Sequence, residues 1–441
     1  MRRCRFGVAL ATASLAGAGT AATAAGADPA AYFNPADFSS EALFVTGLTT
    51  AGARATGLAG ATTAIADDAF AVVQNPAGLA QLVKIEIVMG LRNEPRDATF
   101  EMFDAQAALS ERSSGVDAVA VAYPLPTYRG SLVLGAGIFR SRTNARASAR
   151  RDTRTAAVPP ESAFRFDDEF VRRQGGEVWQ FAAGLGTDVR RDLSLGLSAS
   201  YWYAALRDDQ FRHIDEQFAG APPPSEDRLR SESTLGGVSC DAGLLAYPSR
   251  STRIGFVIRS PVWAWLDGSG TLTHTDLTSG ATRTEALFIE QRPRLPWSTA
   301  LGGSYARGAW LVAAETRYVA WEELDMDAPP APGVSPAADP DYTARFAAHA
   351  GLEWALPRVP VRVRTGFAYE PLAYDLLLGR EARRVHDRRT WSGGAGMLLS
   401  PAFALDVALA VTTAERADRD EPAVRERLRD GRFLLSGSYR Y

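Results

Sequence analysis

Lysine is nearly absent from this chain: Lys84 is the only one. That excludes a phosphate-cradling G-x-x-x-x-G-K loop, and the G-x-S-x-G elbow of serine hydrolases is missing too. Histidine is scarce, and His213, His274, His349 and His386 lack the spacing of metal ligands. Neither catalysis nor a cofactor is expected. Of the two cysteines, Cys4 sits in the basic start of an export signal, Met1-Arg2-Arg3-Cys4-Arg5, which is followed by a small-residue apolar stretch and a cleavage site at Ala25-Gly26-Ala27. Cys240 then remains alone, which excludes an intrachain disulfide and a cysteine-based zinc site. No later stretch approaches ~18 consecutive apolar residues, so no transmembrane helix is expected.

What is present is alternation. Strand-like runs of about ten residues, the length a tilted strand needs to cross a bilayer, recur along the chain with apolar and polar residues in turn. In the last, Phe433, Leu435, Gly437, Tyr439 and Tyr441 share one face, and Arg432, Leu434, Ser436, Ser438 and Arg440 share the other. Upstream, Phe346, Ala348, Ala350, Leu352 and Trp354 oppose Arg345, His349 and Glu353, while Arg362, Arg364 and Glu370 oppose another apolar face. An arginine facing lipid at mid-depth costs ~2 to 4 kcal/mol, so the charged faces must line a lumen.

Connections alternate between short ones, at 124–129, 190–192, 248–251, 307–308, 357–360 and 400–401, and long ones, at 93–115, 141–175, 207–230, 264–296, 322–342, 371–389 and 412–430. Six short and seven long connections predict an all-β fold, a transmembrane antiparallel β-barrel of about fourteen strands, with tight turns at one end and long loops at the other. All nine tryptophans fall at or near the predicted strand ends, where aromatic girdles meet lipid headgroups. Without Arg2, Arg3 and Arg5 the 48 basic and 51 acidic residues become 45 against 51, a net charge of −6, which argues against a nucleic-acid partner.

Ahead of the strands, residues 52–80 read GARATGLAGATTAIADDAFAVVQNPAGLA, with paired Asp67 and Asp68 and the turn Asn75-Pro76-Ala77-Gly78. This segment resembles the N-terminal hatch of the FadL-type outer-membrane transporters. The stretches RTGFAYEP at 364–371, DRRTWSGGAGMLLSPAFALDVALA at 387–410, and LPWSTALGGSY with ETRYVAW within 295–321 are similar to the last third of that family, whereas 141–296 matches in layout only. The resemblance implies a signal peptide (1–27), a hatch plugging the lumen (28–83) and a barrel (84–441). It also implies a monomer in the outer membrane of a Gram-negative bacterium, placed by the barrel assembly machinery among lipid and lipopolysaccharide. Its expected activity is passive uptake of hydrophobic small molecules such as long-chain fatty acids or aromatic hydrocarbons. Barrels of type IX secretion resemble the same NPAGLA region, which makes a scaffold or secretion-associated role the alternative; a water-filled porin is a third reading that the plug disfavours.

Three places are candidates for handling such a molecule. In 207–230, Phe211, Ile214 and Phe218 fall at i, i+3 and i+7 and predict a short amphipathic helix, which with Trp263 and Trp265 of the next apolar loop would form a capture groove; the alternative is that the loops merely pack together. In the lumen, Arg362 and Arg364 can meet a carboxylate head group or else neutralise wall carboxylates such as Glu315, Glu353 and Glu370 or the hatch's Asp67 and Asp68. Gly130, Gly135 and Gly137, in or beside the third predicted strand, mark a kink and lateral opening or simply make room for the plug.

Overall fold

The computed structural model describes residues 51–441 except 103–104, 144–145, 159–161, 218–220, 222, 326–342, 372–375, 378–379 and 419–424. The signal, the first part of the hatch and Phe218 therefore lie outside the described residues.

Fourteen strands make the wall: β1 (Glu86–Met102), β2 (Ala105–Leu125), β3 (Leu132–Thr143 and Arg146–Val158), β4 (Ser162–Arg190), β5 (Leu193–Gln217), β6 (Ser225–Ala246), β7 (Thr252–Arg259 and Val262–Asp276), β8 (Thr282–Gln291, Arg294–Leu295 and Ser298–Arg307), β9 (Trp310–Val319), β10 (Arg345–Ala355), β11 (Val361–Glu370), β12 (Arg380–Ser400), β13 (Phe403–Asp418) and β14 (Arg425–Arg440). Each pairs antiparallel with its chain neighbours, and β14 returns to β1 in the register Glu86↔Arg440. The first strand thus pairs with the last, closing the wall as lipid requires.

The two faces are inverted relative to a water-soluble barrel. Ile87, Met89, Val119, Leu134, Phe181, Leu197, Phe256, Leu301, Val312 and Leu409 are exposed on the outside. Arg92, Asp117, Gln180, Asp241, Glu315, Arg317, His349, Glu353 and Arg364 are buried. Aromatic pairs bound the apolar belt. Trp310 stacks on Trp354 at 5.2 Å near the short-turn end, while Tyr318 meets Phe346 at 5.0 Å and Tyr201 meets Trp265 at 6.2 Å on the other side. Phe346 and Trp354 stand eight residues apart on β10, about 20 Å of membrane depth for a strand tilted by roughly 40°.

Several of the long connections are largely strand rather than loop. β4 runs for 29 residues, β5 for 25 and β6 for 22, so much of what alternation assigned to loops at 141–175, 207–230 and 264–296 continues the wall as paired ribbon beyond the apolar belt. Trp179, Trp202 and Trp391 consequently lie inside strands rather than at their ends. The helix expected around Phe211 and Ile214 is replaced by β5: Phe211 is opposite Val171 on one side and Arg228 on the other, and the two residues point to opposite faces. Backbone pairing to two neighbours outweighs a weak helical period in a charged segment.

Candidate functional site

The lumen is occupied by residues 51–82. Small side chains let this segment fold into tight pieces, a helix at Ala53–Gly57, another at Ala71–Gln74 and a 3-10 turn at Pro76–Gln81. Asn75 sets the last turn by accepting the Ala77 N–H at 3.1 Å, and its amide donates to Thr63 O at 2.7 Å and to Leu244 O of β6 at 3.1 Å. Opposite the turn the wall has no side chain to spare: a Cβ at Gly196 would overlap Pro76, and one at Gly243 would overlap Asn75. The plug thus seats its backbone directly on the strands.

On one side the contact is apolar. Phe70, Val72 and Leu79 pack with Val133, Phe139, Ala120 and Ala182, and Phe70 meets Phe139 edge to face at 5.9 Å. Each such side chain contributes about 1.5–3 kcal/mol when fully buried. Elsewhere wall side chains grip plug backbone. Asp117 accepts the Gly52 N–H at 3.0 Å, Glu86 accepts that of Ala69 at 3.0 Å, and one oxygen of Glu315 accepts those of Thr62 and Thr63, both at 2.8 Å. Arg317 donates to Gly60 O at 2.7 Å, Arg259 to Gln74 O at 2.9 Å, and His349 Nδ1 to Ala59 O at 2.7 Å.

Asp67 pairs with Arg54 of the plug itself and lies 3.7 Å from Arg253 of β7. Asp68 instead accepts the Phe70 N–H at 2.9 Å. Burial, then the nearby carboxylates of Glu86 and Asp67, push the Asp68 carboxyl up to about 7.

Arg364 is buried, donating from Nε to Glu353 at 2.7 Å and from Nη1 to Asp406. Arg362 reaches Glu353 at 3.3 Å with 57% of its side chain exposed. The structure therefore places both arginines on wall carboxylates rather than on Asp67 or Asp68, with Arg54 joining Glu353 at 3.2 Å from the plug side.

Among the described residues, chambers lie on both sides of the plug. One of about 230 Å³ lies toward the short-turn end, between Arg54, Asp67 and Asp68 and the wall residues Glu86, Arg362, Arg364, Asp406 and Arg440. The other, about 110 Å³, lies on the far side between Thr56, Ala59 and Gly60 and the wall, including Glu94, Arg96, His349, Glu370 and Arg432. Higher on the β4–β8 side the inner face is apolar, a cluster of Val178, Leu206, Leu235, Val262 and Leu266 with Trp202, Ile289 and Leu295 packed against it. Trp263 and Trp265 project outward from β7, and Trp265 lies over Gly236. They join the aromatic belt and do not meet Phe211 in a groove.

The wall is irregular between β2 and β3. β2 and β3 pair from Leu125↔Leu132 to Ala118↔Phe139, and among the described residues their pairing stops there. Both strands are distorted at that level: the β1–β2 register shifts at Gly90/Leu91, and the β3–β4 register shifts between Arg140 and Arg142. Arg140, 2% exposed, reaches across the break, with Nη2 on Ser113 of β2 and on Glu177 of β4. The glycines singled out from sequence sit lower. Gly130 occupies the preceding turn at φ +70°, a Cβ at Gly135 would come within 2.9 Å of the plug's Leu79, and one at Gly137 within 2.7 Å of the Phe139 ring.

No model of a known protein family matches the chain, and none of the curated proteins does. Solved structures do. The toluene transporter TodX of P. putida superposes with a TM-score of 0.63 at 14% identity, covering 90% of this chain and 99% of that one. A FadL homologue of Pseudomonas aeruginosa gives 0.63 at 16% over the same shares. The toluene transporter TbuX of Ralstonia pickettii gives 0.59 at 16%, again over 90% and 99%. This chain has the FadL-type fold. Within that fold, sequence reasoning found the hatch but missed its holders: Glu86, Asp117 and Glu315 bond to backbone N–H groups, and Arg140 pairs across a break that no local pattern announces. The only signal was an acid at an inward position of an otherwise apolar or small-residue strand.

Proposed function

We propose that the chain is an outer-membrane channel of a Gram-negative bacterium for passive uptake of hydrophobic small molecules, and that it has no catalytic role. The observation that carries this reading is the coincidence of three features at one level: the β2–β3 pairing ends at Ala118↔Phe139, Phe139 packs on the plug's Phe70, and Arg140 covers the break. A greasy molecule entering at the long-hairpin end finds the apolar inner face around Leu206, Leu235 and Leu266, then meets the plug. Movement of Phe70 away from Phe139 would open a path through the wall into the bilayer, where apolar surface is favoured over water by about 25 cal/mol per Å². The lateral path thus runs just beyond Gly135 and Gly137, which make room for Leu79 and for the Phe139 ring. The reading draws support from the neighbouring folds, which include a toluene transporter and a monoaromatic hydrocarbon channel. Partners are then the ligand, the surrounding lipid and lipopolysaccharide, and the barrel assembly machinery, with the chain acting as a monomer.

The test is uptake of radiolabelled toluene and of oleate by a Gram-negative host without its own channel of this kind. Expressed chain should raise the initial rate of at least one several-fold over empty vector; rates equal to the vector control would refute the reading.

A further inference from the structure

Among the described residues, two polar atoms at the far-side chamber have no hydrogen-bond partner. Thr56 Oγ1 and His349 Nε2 are both buried without a hydrogen bond, in residues 3% and 4% exposed, and both residues line the chamber of about 110 Å³. The charged residues around them are committed to one another: Arg432 donates to Glu94 at 2.7 Å, and Arg96 lies 3.8 Å from Glu94 and 3.9 Å from Asp430. The acid nearest His349 Nε2 is Glu370 at 3.9 Å, beyond hydrogen-bond reach.

The chemistry of the histidine is fixed by its other nitrogen. Nδ1 stands 2.7 Å from Ala59 O, and a carbonyl only accepts, so Nδ1 carries the hydrogen. In the neutral ring Nε2 is then an acceptor with its lone pair unused. Thr56 supplies the complement, a hydroxyl that can donate or accept. A group that donates to one and accepts from the other satisfies both atoms, and a hydroxyl does this with a single oxygen. A carboxylate offers no hydrogen to Nε2. A bare hydrocarbon in the same place would leave both atoms desolvated and unpaired, each at a cost of the order that lets hydroxyl-binding sites reject their deoxy analogues.

We propose that Thr56 of the plug and His349 of β10 form a binding site for a ligand hydroxyl, so that the channel, if it takes up hydrophobic molecules as read above, favours phenols and alcohols over hydrocarbons of the same shape. Because Thr56 belongs to the plug and His349 to the wall, such a ligand would bridge the two.

The experiment uses p-cresol and p-xylene, which differ by one hydroxyl in place of a methyl, with equilibrium binding to the purified barrel and entry into liposomes containing it. The intact protein should bind p-cresol about tenfold more tightly. Thr56→Val should cut that preference to within about threefold, with p-xylene binding somewhat more tightly because the hydroxyl it leaves unpaired is gone, and Thr56→Ser should restore it. Equal binding of the two compounds by the intact protein, as expected if the chamber holds only water, would overturn the hydroxyl site while leaving the uptake channel standing, and so would a preference that Thr56→Val keeps in full. Failure of both compounds to bind or enter would overturn the site, whereas the channel itself stands or falls on the uptake of toluene and oleate.

Discussion

Glu315, on the inner face of β9, accepts the backbone N–H of the plug residue Thr63 at 2.8 Å, and the same oxygen accepts that of Thr62. Its other oxygen takes Arg317 Nε at 2.5 Å, and Arg317 in turn donates to Gly60 O. The pair therefore clasps one stretch of plug by both its donors and its acceptors.

Replacing Glu315 by Leu removes the acceptor for two buried N–H groups and strips Arg317 of its carboxylate. A loss of about 3–5 kcal/mol in plug docking is expected, the range for breaking one side of a buried ion pair. Hydrogen exchange at residues 60–65 should accelerate by at least tenfold while the barrel keeps its heat-resistant migration on gels. Unchanged exchange would show that the plug is held elsewhere.

Gly196→Ala tests the seating of the turn. A Cβ there overlaps the Pro76–Ala77 peptide, and neither the paired strand nor that planar peptide yields easily. The barrel should still assemble, with the plug displaced and ionic conductance in planar bilayers raised toward that of a deletion of residues 51–79. If the deletion itself conducts no better than the intact protein, the segment does not block the lumen.

The pH dependence of docking follows from Asp68. In the docked plug its carboxyl holds a proton up to about 7, whereas a free chain releases it near ~4. The docked state binds the extra proton between those values, so this contribution is complete below ~4 and fades as pH rises through about 7. Protection of the plug against hydrogen exchange, corrected for the intrinsic rate, should fall between pH 5 and pH 8, and Asp68→Asn should flatten the fall. An equal fall in the variant would assign it to another group.

Arg140→Ala removes the side chain that spans the β2–β3 break. Glu177 is half open to solvent and tolerates the loss, so the fold should survive. Uptake of a hydrophobic substrate should rise by a few-fold at equal surface expression; a lower or unaltered rate would mean that the break is not on the path.

Much of the fold was legible because membrane burial writes a simple code. In β10 the alternation of Phe346, Ala348, Ala350, Leu352 and Trp354 with Arg345, His349 and Glu353 assigns each residue to its observed face, and the short turns gave the strand count. Beyond the belt the code lapses. Both faces of a paired ribbon in water can be polar, so β5 past Arg207 offers no alternation to separate strand from loop, and the spacing of Phe211 and Ile214 imitated a helix. The site was less legible still. Arg362 and Arg364 stand out in sequence because charge is visible there, yet their partners Glu353 and Asp406 are set by neighbouring strands. The orphan atoms of Thr56 and His349 are a property of what surrounds them, which no spacing encodes.

The grip of Asp117, Glu86, Glu315, Arg259 and Arg317 is on peptide groups, and those are the same whatever side chain a residue carries. A stopper recognised by its trace rather than its lettering can exchange residues such as Thr56 without losing its seat. Ligand preference could then diversify through single substitutions inside the lumen, with the anchoring hardware untouched.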